Sequence, residues 1–226
     1  MKVSEIFYSL QGEGFLAGLP SVFVRLAGCP LRCRWCDTKY AWDESAGQDY
    51  SPEEIAEAVR QWQSRFVVIT GGEPMVKPEM AELVQMLKKI GKHITIETAG
   101  IAYAADLQCD LMSISPKLSN SAPAEPEPAG KHNEGRLDTE VLRKLLDEYE
   151  YQLKFVVASE DDLEEVQQTI EALENVDLEK VMLMPQAAGR EELSARSPMV
   201  ADMCKRSGFA FCQRLQVMLW DNERGM

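Results

Sequence analysis

The sequence predicts an α/β fold: one partial (β/α) barrel of about six mainly parallel strands, spanning residues 1–226 as a single domain. Three observations carry this. Short β-branched apolar runs of strand length recur along the chain, and helical patterns with start and stop signals separate them. The 226 residues also fall somewhat short of the roughly 250 that a closed eight-unit barrel takes.

The first run is Pro20 to Ala27 (PSVFVRLA), followed by Arg65 to Thr70, His93 to Glu97, Leu111 to Ser115, Gln152 to Val157 and Val181 to Met184, with a last strand or tail over 209–226 that begins at Phe209 to Leu219. Ser51-Pro52-Glu53-Glu54 places a capping serine, a proline at the first helical position and a glutamate at the third, and predicts a helix through about Trp62. Pro78 to Ile90, stopped by Gly91, has apolar residues at helical spacing, as do Asp138 to Glu148 and Ser159 to Leu173. Short apolar strands alternating with helices build right-handed βαβ units with a sheet covered on its outer face. Ser119 to Arg136, with three prolines and two glycines, reads as an irregular excursion rather than one regular element.

With 45% hydrophobic residues and 27% charged, a disordered or fibrous chain is excluded. The net charge of −13 disfavours nucleic acid and anionic lipid as partners. No apolar run is long enough for a membrane span and the N-terminus lacks signal-peptide character, so a cytoplasmic protein without membrane association is expected. The acidity is not uniform, because residues 1 to 40 hold Lys2, Arg25, Arg32, Arg34 and Lys39 against Glu5, Glu13 and Asp37.

Three of the six cysteines, Cys29, Cys33 and Cys36, fall in a C-x3-C-x2-C run directly after the first predicted βα-type strand, where parallel α/β folds build their sites. Thiols this tightly spaced are metal ligands or redox groups more often than disulfide partners. A structural zinc site wants four ligands, and only His93, His132 and the scattered Cys109, Cys204 and Cys212 could supply a fourth. Three ligands suit an iron–sulfur cube with one iron open to a reactant. A zinc-stapled binding module stays as the non-enzymatic alternative.

The cysteine run resembles that of the radical S-adenosylmethionine (SAM) superfamily, and Thr70-Gly71-Gly72-Glu73-Pro74 after the second predicted parallel strand resembles its GGEP element. The resemblance implies a [4Fe-4S] cluster on Cys29, Cys33 and Cys36, whose open iron chelates SAM. It places SAM contacts at Trp35, Cys36, Asp37, Gly72, Glu73, Glu97, Ser115, Pro116 and Lys117. Paired glycines let backbone approach a ligand closely, and a carboxylate there can accept from an ammonium group.

Within the superfamily, Glu5 to Gly14 (EIFYSLQGEG), Arg25, Cys36-Asp37-Thr38 and Ser115-Pro116-Lys117 resemble the 7-carboxy-7-deazaguanine synthase family. That resemblance implies a lyase converting 6-carboxy-5,6,7,8-tetrahydropterin to 7-carboxy-7-deazaguanine with loss of ammonia, on the route to queuosine. It implies Mg2+ at Thr38, substrate contacts at Leu10, Gln11, Gly12, Glu13, Arg25 and Thr70, a homodimer, and an acidic electron donor such as flavodoxin. An arginine fork can grip the substrate carboxylate bidentately, though Arg25 could equally be spent on an ion pair with Glu13 or Glu97. A glycyl-radical-enzyme activase shares the cysteine loop and is the competing enzyme reading.

Overall fold

The computed structural model describes residues 1–221 and 223–226. Asn222, part of the polar tail beyond Trp220, lies outside the described residues. In chain order the elements are β1 (Lys2–Leu10), β2 (Pro20–Leu26), β3 (Gln48–Asp49), α1 (Pro52–Val59), β4 (Phe66–Gly71), α2 (Met80–Lys89), β5 (His93–Thr98), β6 (Leu111–Ile114), α3 (Pro126–Gly135), α4 (Thr139–Glu148), β7 (Tyr151–Val157), α5 (Asp162–Leu173), β8 (Val181–Pro185), α6 (Arg190–Ser207), β9 (Ala210–Phe211) and α7 (Leu215–Trp220). They form one sheet in the order β3-β1-β2-β4-β5-β6-β7-β8-β9. From β2 onward every neighbouring pair is parallel, whereas β1 runs antiparallel to both β2 and β3. The six predicted parallel strands are therefore the centre of the sheet, in sequence order, as a partial barrel requires.

Strand alternation divides the side chains between two environments. Val22, Val24, Leu26, Val67, Ile69, Ile94, Ile96, Met112, Ile114, Leu153, Phe155, Val181 and Leu183 point outward into the main core. There they meet Ile55 and Val59 of α1, Leu83 and Leu87 of α2, Leu142 and Leu145 of α4, Val166 and Ile170 of α5, and Val200 and Met203 of α6. The intervening positions, among them Arg25, Thr70, Glu97, Ser113 and Lys154, face a shared interior cavity.

Local signals act as expected at several ends. Ser51 and Glu54 form the reciprocal capping box of α1, and Asp138 caps α4 by accepting from the Glu140 and Val141 amides. Two expectations are corrected. The segment 119–136 contains the ten-residue helix α3, because Pro126 and Pro128 sit in its first turn, where the backbone N–H has no intrahelical partner to lose. The C-terminal run is not one strand: only Ala210–Phe211 pair, and Leu215–Trp220 coil into α7, an apolar run whose length and composition suit either state. β1 and α6 complete the fold in addition to the expected elements, α6 carrying Pro198 inside an 18-residue helix with a weak apolar pattern.

Candidate active site

The interior cavity, about 510 Å³, is walled by side chains from β1, β2, β4 to β8, the loop after β2, and the C-terminal segment. All the cluster, SAM, Mg2+ and substrate residues that the resemblance implies lie on this wall except Pro116, which is buried beside it, whereas His93, His132, Cys109, Cys204 and Cys212 do not line it.

The loop leaving β2 turns at Gly28, whose φ of +98° a side chain would resist, and then carries the three cysteines. It is fastened on both sides. Gly28 and Cys29 donate to the carbonyls of Ala41 and Trp42 (2.8 and 3.1 Å), and Arg34 donates to that of Ser121 (2.9 Å). The Arg32 guanidinium donates to the carbonyls of Cys29 and Leu31 (2.5 and 2.9 Å), while its amide donates to Nδ1 of buried His132 in α3 (3.2 Å). Since Nδ1 accepts, the proton is on Nε2, 2.8 Å from Ser121 Oγ. The segment 119–136 is thus the scaffold on which the cysteine loop rests.

Cys29, Cys33 and Cys36 are free thiols lining the one cavity. Burial pushes the Cys29 thiol up to about 12 and the Cys33 thiol up to about 11, with neighbouring carboxylates and each other's charge adding to the effect. Cys29 and Cys33 are therefore protonated on their own and need a cationic partner to become thiolates. Among the described residues no set of three His, Cys, Asp or Glu side chains is placed to hold a single metal ion. A cluster takes each thiolate at a different iron, so three soft donors spread around one cavity suit it.

The GGEP turn does its close packing against protein. A Cβ on Gly71 would meet the Leu26 carbonyl oxygen at 2.2 Å, and one on Gly72 the Gly28 oxygen at 2.1 Å. The glycines thus let the end of β4 abut the root of the cysteine loop, and Glu73 N–H donates to Gly28 O (2.9 Å). The Glu73 carboxylate accepts from Thr98 Oγ1 (2.6 Å), Ala99 N (2.8 Å) and Met75 N (3.1 Å). Complete burial nevertheless holds its pKa above the usual carboxylate value. It braces the ends of β4 and β5.

Gln11, Gly12 and Glu13 follow β1 into a buried charge network. Glu13 accepts from Lys154 Nζ and Gln216 Nε2, both at 2.9 Å, and stands 3.5 Å from Arg214 Nε. Gln11 Nε2 donates to Glu97 (3.1 Å), which is 3.9 Å from Lys154. Burial alone would raise the Glu13 pKa, but Lys154 and Arg214 draw it down to about 2. Burial alone would lower the Lys154 pKa, and Glu13 and Glu97 instead hold it above the usual ammonium value. The C-terminal segment is laced to this element, because Leu215 N donates to Gly12 O (2.9 Å) and Gly14 N donates to Cys212 Sγ (3.3 Å).

Arg25 pairs with neither Glu13 nor Glu97. Its Nε donates to Glu5 of adjacent β1 (2.7 Å), which also accepts from Tyr40 and from Arg224, each at 2.8 Å. Registration decides this, for Glu5 stands opposite Arg25 in the β1–β2 ladder. Among the described residues the terminal nitrogens of Arg25 have no protein partner, and its side chain keeps 16% of its exposure on the cavity wall. Across the cavity wall Lys117 donates to the carbonyl and hydroxyl of Ser115 (2.7 and 2.9 Å) and lies 5.8 Å from the Trp35 ring centroid. Thr38 Oγ1 is 3.6 Å from Cys36 Sγ.

Lys154, Arg214 and Gln216 are wall residues that the sequence reasoning did not select. A lysine inside a mostly apolar strand, on the inner face that also carries Gln152, was the available signal for Lys154. Nothing local marked the other two.

Residues 24–119 match the model of the radical SAM superfamily. The chain is 40% identical to the 7-carboxy-7-deazaguanine synthase of Rhodopirellula baltica over 99% of its own length and 88% of that protein. The chain belongs to the 7-carboxy-7-deazaguanine synthase family. Its relative of that name in Pyrobaculum aerophilum is also 40% identical, over all of this chain and 97% of that one. A crystal structure of QueE from Escherichia coli has the same fold, with a TM-score of 0.70 over 93% of this chain and 92% of that chain, at 24% identity. Membership implies a [4Fe-4S] cluster, SAM and a reductant, and sets aside the zinc-module and activase alternatives. Among the described residues no helix is long and apolar enough to cross a membrane.

Proposed function

We propose that the cavity is where 6-carboxy-5,6,7,8-tetrahydropterin becomes 7-carboxy-7-deazaguanine, with ammonia released. One observation carries this reading: the three thiols share a single wall with Gln11, Glu13 and the cavity-facing fork of Arg25. Cys29, Cys33 and Cys36 would hold the cluster, which when bound supplies one-electron reductive cleavage of SAM. The remaining work belongs to the chain itself. Trp35, Cys36, Asp37, Gly72, Glu73, Glu97, Ser115 and Lys117 shape the SAM side, with Pro116 supporting the backbone between the last two.

Leu10, Gln11, Gly12, Glu13 and Thr70 face the aminopyrimidinone edge of the pterin, and Arg25 holds its carboxylate. Glu5 fixes one edge of the guanidinium and thereby aims the rest at the cavity. Thr38 would offer one hydroxyl oxygen to Mg2+, and because one hydroxyl is a weak site, substrate and water oxygens would have to supply the other ligands. The chain acts as a single domain, as a cytoplasmic homodimer, reduced by an acidic carrier such as flavodoxin.

The cysteine assignment is tested by replacement under anaerobic reconstitution. Cys33→Ala abolishes stable [4Fe-4S] absorbance and SAM cleavage, whereas Cys109→Ala, outside the cavity wall, leaves both intact. Retained absorbance in Cys33→Ala would overturn it.

A further inference from the structure

Lys154 has more hydrogen-bond donors than the protein around it has acceptors. Its ammonium carries three N–H groups. One reaches Glu13 at 2.9 Å, whereas Glu97, at 3.9 Å, lies beyond hydrogen-bond range. The side chains beside it on the inner face of β7 and neighbouring β8, Val156, Met182 and Met184, are buried and apolar and offer no oxygen. Among the described residues, two of the three donors therefore have no acceptor, on a side chain that keeps only 4% of its exposure and lines the cavity.

A buried cation in that condition is costly unless a ligand or water takes the free donors. Burial would lower the Lys154 pKa, but Glu13 and Glu97 hold it above the usual ammonium value, so the group is a standing donor rather than a source of protons. Beside it Glu13 is a fixed acceptor. Gln216 Nε2 donates to one Glu13 oxygen (2.9 Å), and the Glu13 amide donates to Gln11 Oε1 (3.1 Å), whose own Nε2 donates to Glu97 (3.1 Å). The cavity wall thus presents one carboxylate and one ammonium, held side by side.

We propose that Lys154 determines ring specificity by donating to the 4-oxo group of the pterin, while Glu13 accepts from the N–H groups of the same edge. This inference rests on the pterin reading given above and names a contact within it. An aminopyrimidinone sets N–H donors next to a carbonyl, which is the complement of a carboxylate next to an ammonium. A 4-amino ring inverts the pattern: its amino group faces the ammonium, and a bare ring nitrogen faces the carboxylate. A site whose buried donor is left unmatched rejects such a ring strongly.

The test uses cluster-loaded protein with SAM and two stable fluorescent ligands, pterin-6-carboxylate and 2,4-diaminopteridine-6-carboxylate. They are titrated in mildly alkaline buffer, where the 4-amino ring is unprotonated. Wild type is expected to bind the 4-oxo ligand on the order of 100-fold more tightly. Lys154→Gln, whose amide can donate or accept, is expected to lower that ratio by about 10-fold, the remaining preference coming from Glu13. A purely structural role would weaken both ligands alike and leave the ratio unmoved. Lys154→Met, which has no donor, carries the same expectation if Lys154→Gln does not fold, and the wild-type ratio needs no variant. Equal wild-type affinities, or a wild-type ratio retained in the Lys154 variant, overturn the proposal and leave the free donors to water, while the pterin reading stands because pterin-6-carboxylate still binds. Wild type that binds neither ligand refutes the pterin reading itself and this contact with it.

Discussion

Arg214 and Asp37, 177 residues apart in sequence, are joined by a 2.6 Å ion pair at the rim of the cavity. The same guanidinium donates to the Ala187 carbonyl at the end of β8 (2.6 Å) and stands 3.5 Å from Glu13. One buried side chain thus ties the C-terminal segment to Asp37, next after Cys36, and to the Glu13 carboxylate. On the proposed reading, positions that must be aligned for hydrogen abstraction are held by one fork.

Arg214→Lys should therefore uncouple the reaction. The single ammonium cannot reproduce a fork shared among Asp37, Ala187 and Glu13. Cluster absorbance should persist, SAM should still be cleaved, and product formed per SAM cleaved should fall, since a displacement of about 1 Å can cost on the order of a hundredfold in rate. Quantifying 5′-deoxyadenosine against product decides this. A wild-type ratio would leave Arg214 with a packing role alone.

Lys154 and Glu13 make a pH-dependent contribution to stability. Glu13 has a folded pKa of about 2 against an ordinary value of 4.5, so its stabilising ionisation is complete above pH 4.5 and is lost as pH falls toward 2. Lys154→Met leaves that carboxylate buried without its main partner, a loss of about 3–5 kcal/mol at neutral pH. Protonating Glu13 relieves the loss, so the gap to wild type in urea unfolding should narrow between pH 7 and pH 4. An equal gap at both pH values would show that the pair is not the source.

Gly72→Ala should damage the cysteine loop. Its Cβ would meet Gly28 O at 2.1 Å and Gly28 C at 2.4 Å, both backbone atoms that cannot swing aside. We expect a loss of about 1–3 kcal/mol and a melting point lower by about 2–4 °C per kcal/mol, with weaker iron retention. Gly130→Ala in α3, where nothing lies within 4 Å, should be neutral or slightly stabilising. Equal thermal melts for both variants would contradict the packing argument.

The parallel centre of the sheet was legible because alternation leaves a hydrophobic record: Val22, Val24 and Leu26 face the core, and the charged Arg25 betrays an inner face. The cysteine loop and GGEP element were legible because their spacing is local. What escaped was written over long distances. The partner of Arg25 depends on β1–β2 register, which places Glu5 opposite it. Arg214 and Gln216 reach the cavity only because α7 folds back on Gly12. The ten-residue helix α3 was hidden by prolines that break helices everywhere except in a first turn. The close approach of Gly71 and Gly72 to Leu26 and Gly28 is likewise invisible without coordinates.

The central claim, that one cavity joins the thiol wall to a pterin-reading wall, is tested most directly by anaerobic turnover. Cluster-loaded protein with SAM, Mg2+, dithionite and 6-carboxy-5,6,7,8-tetrahydropterin should form 7-carboxy-7-deazaguanine, and Arg25→Lys should lower kcat/KM by about a hundredfold while keeping the cluster. Fully loaded wild-type protein that cleaves SAM yet forms no 7-carboxy-7-deazaguanine would contradict it.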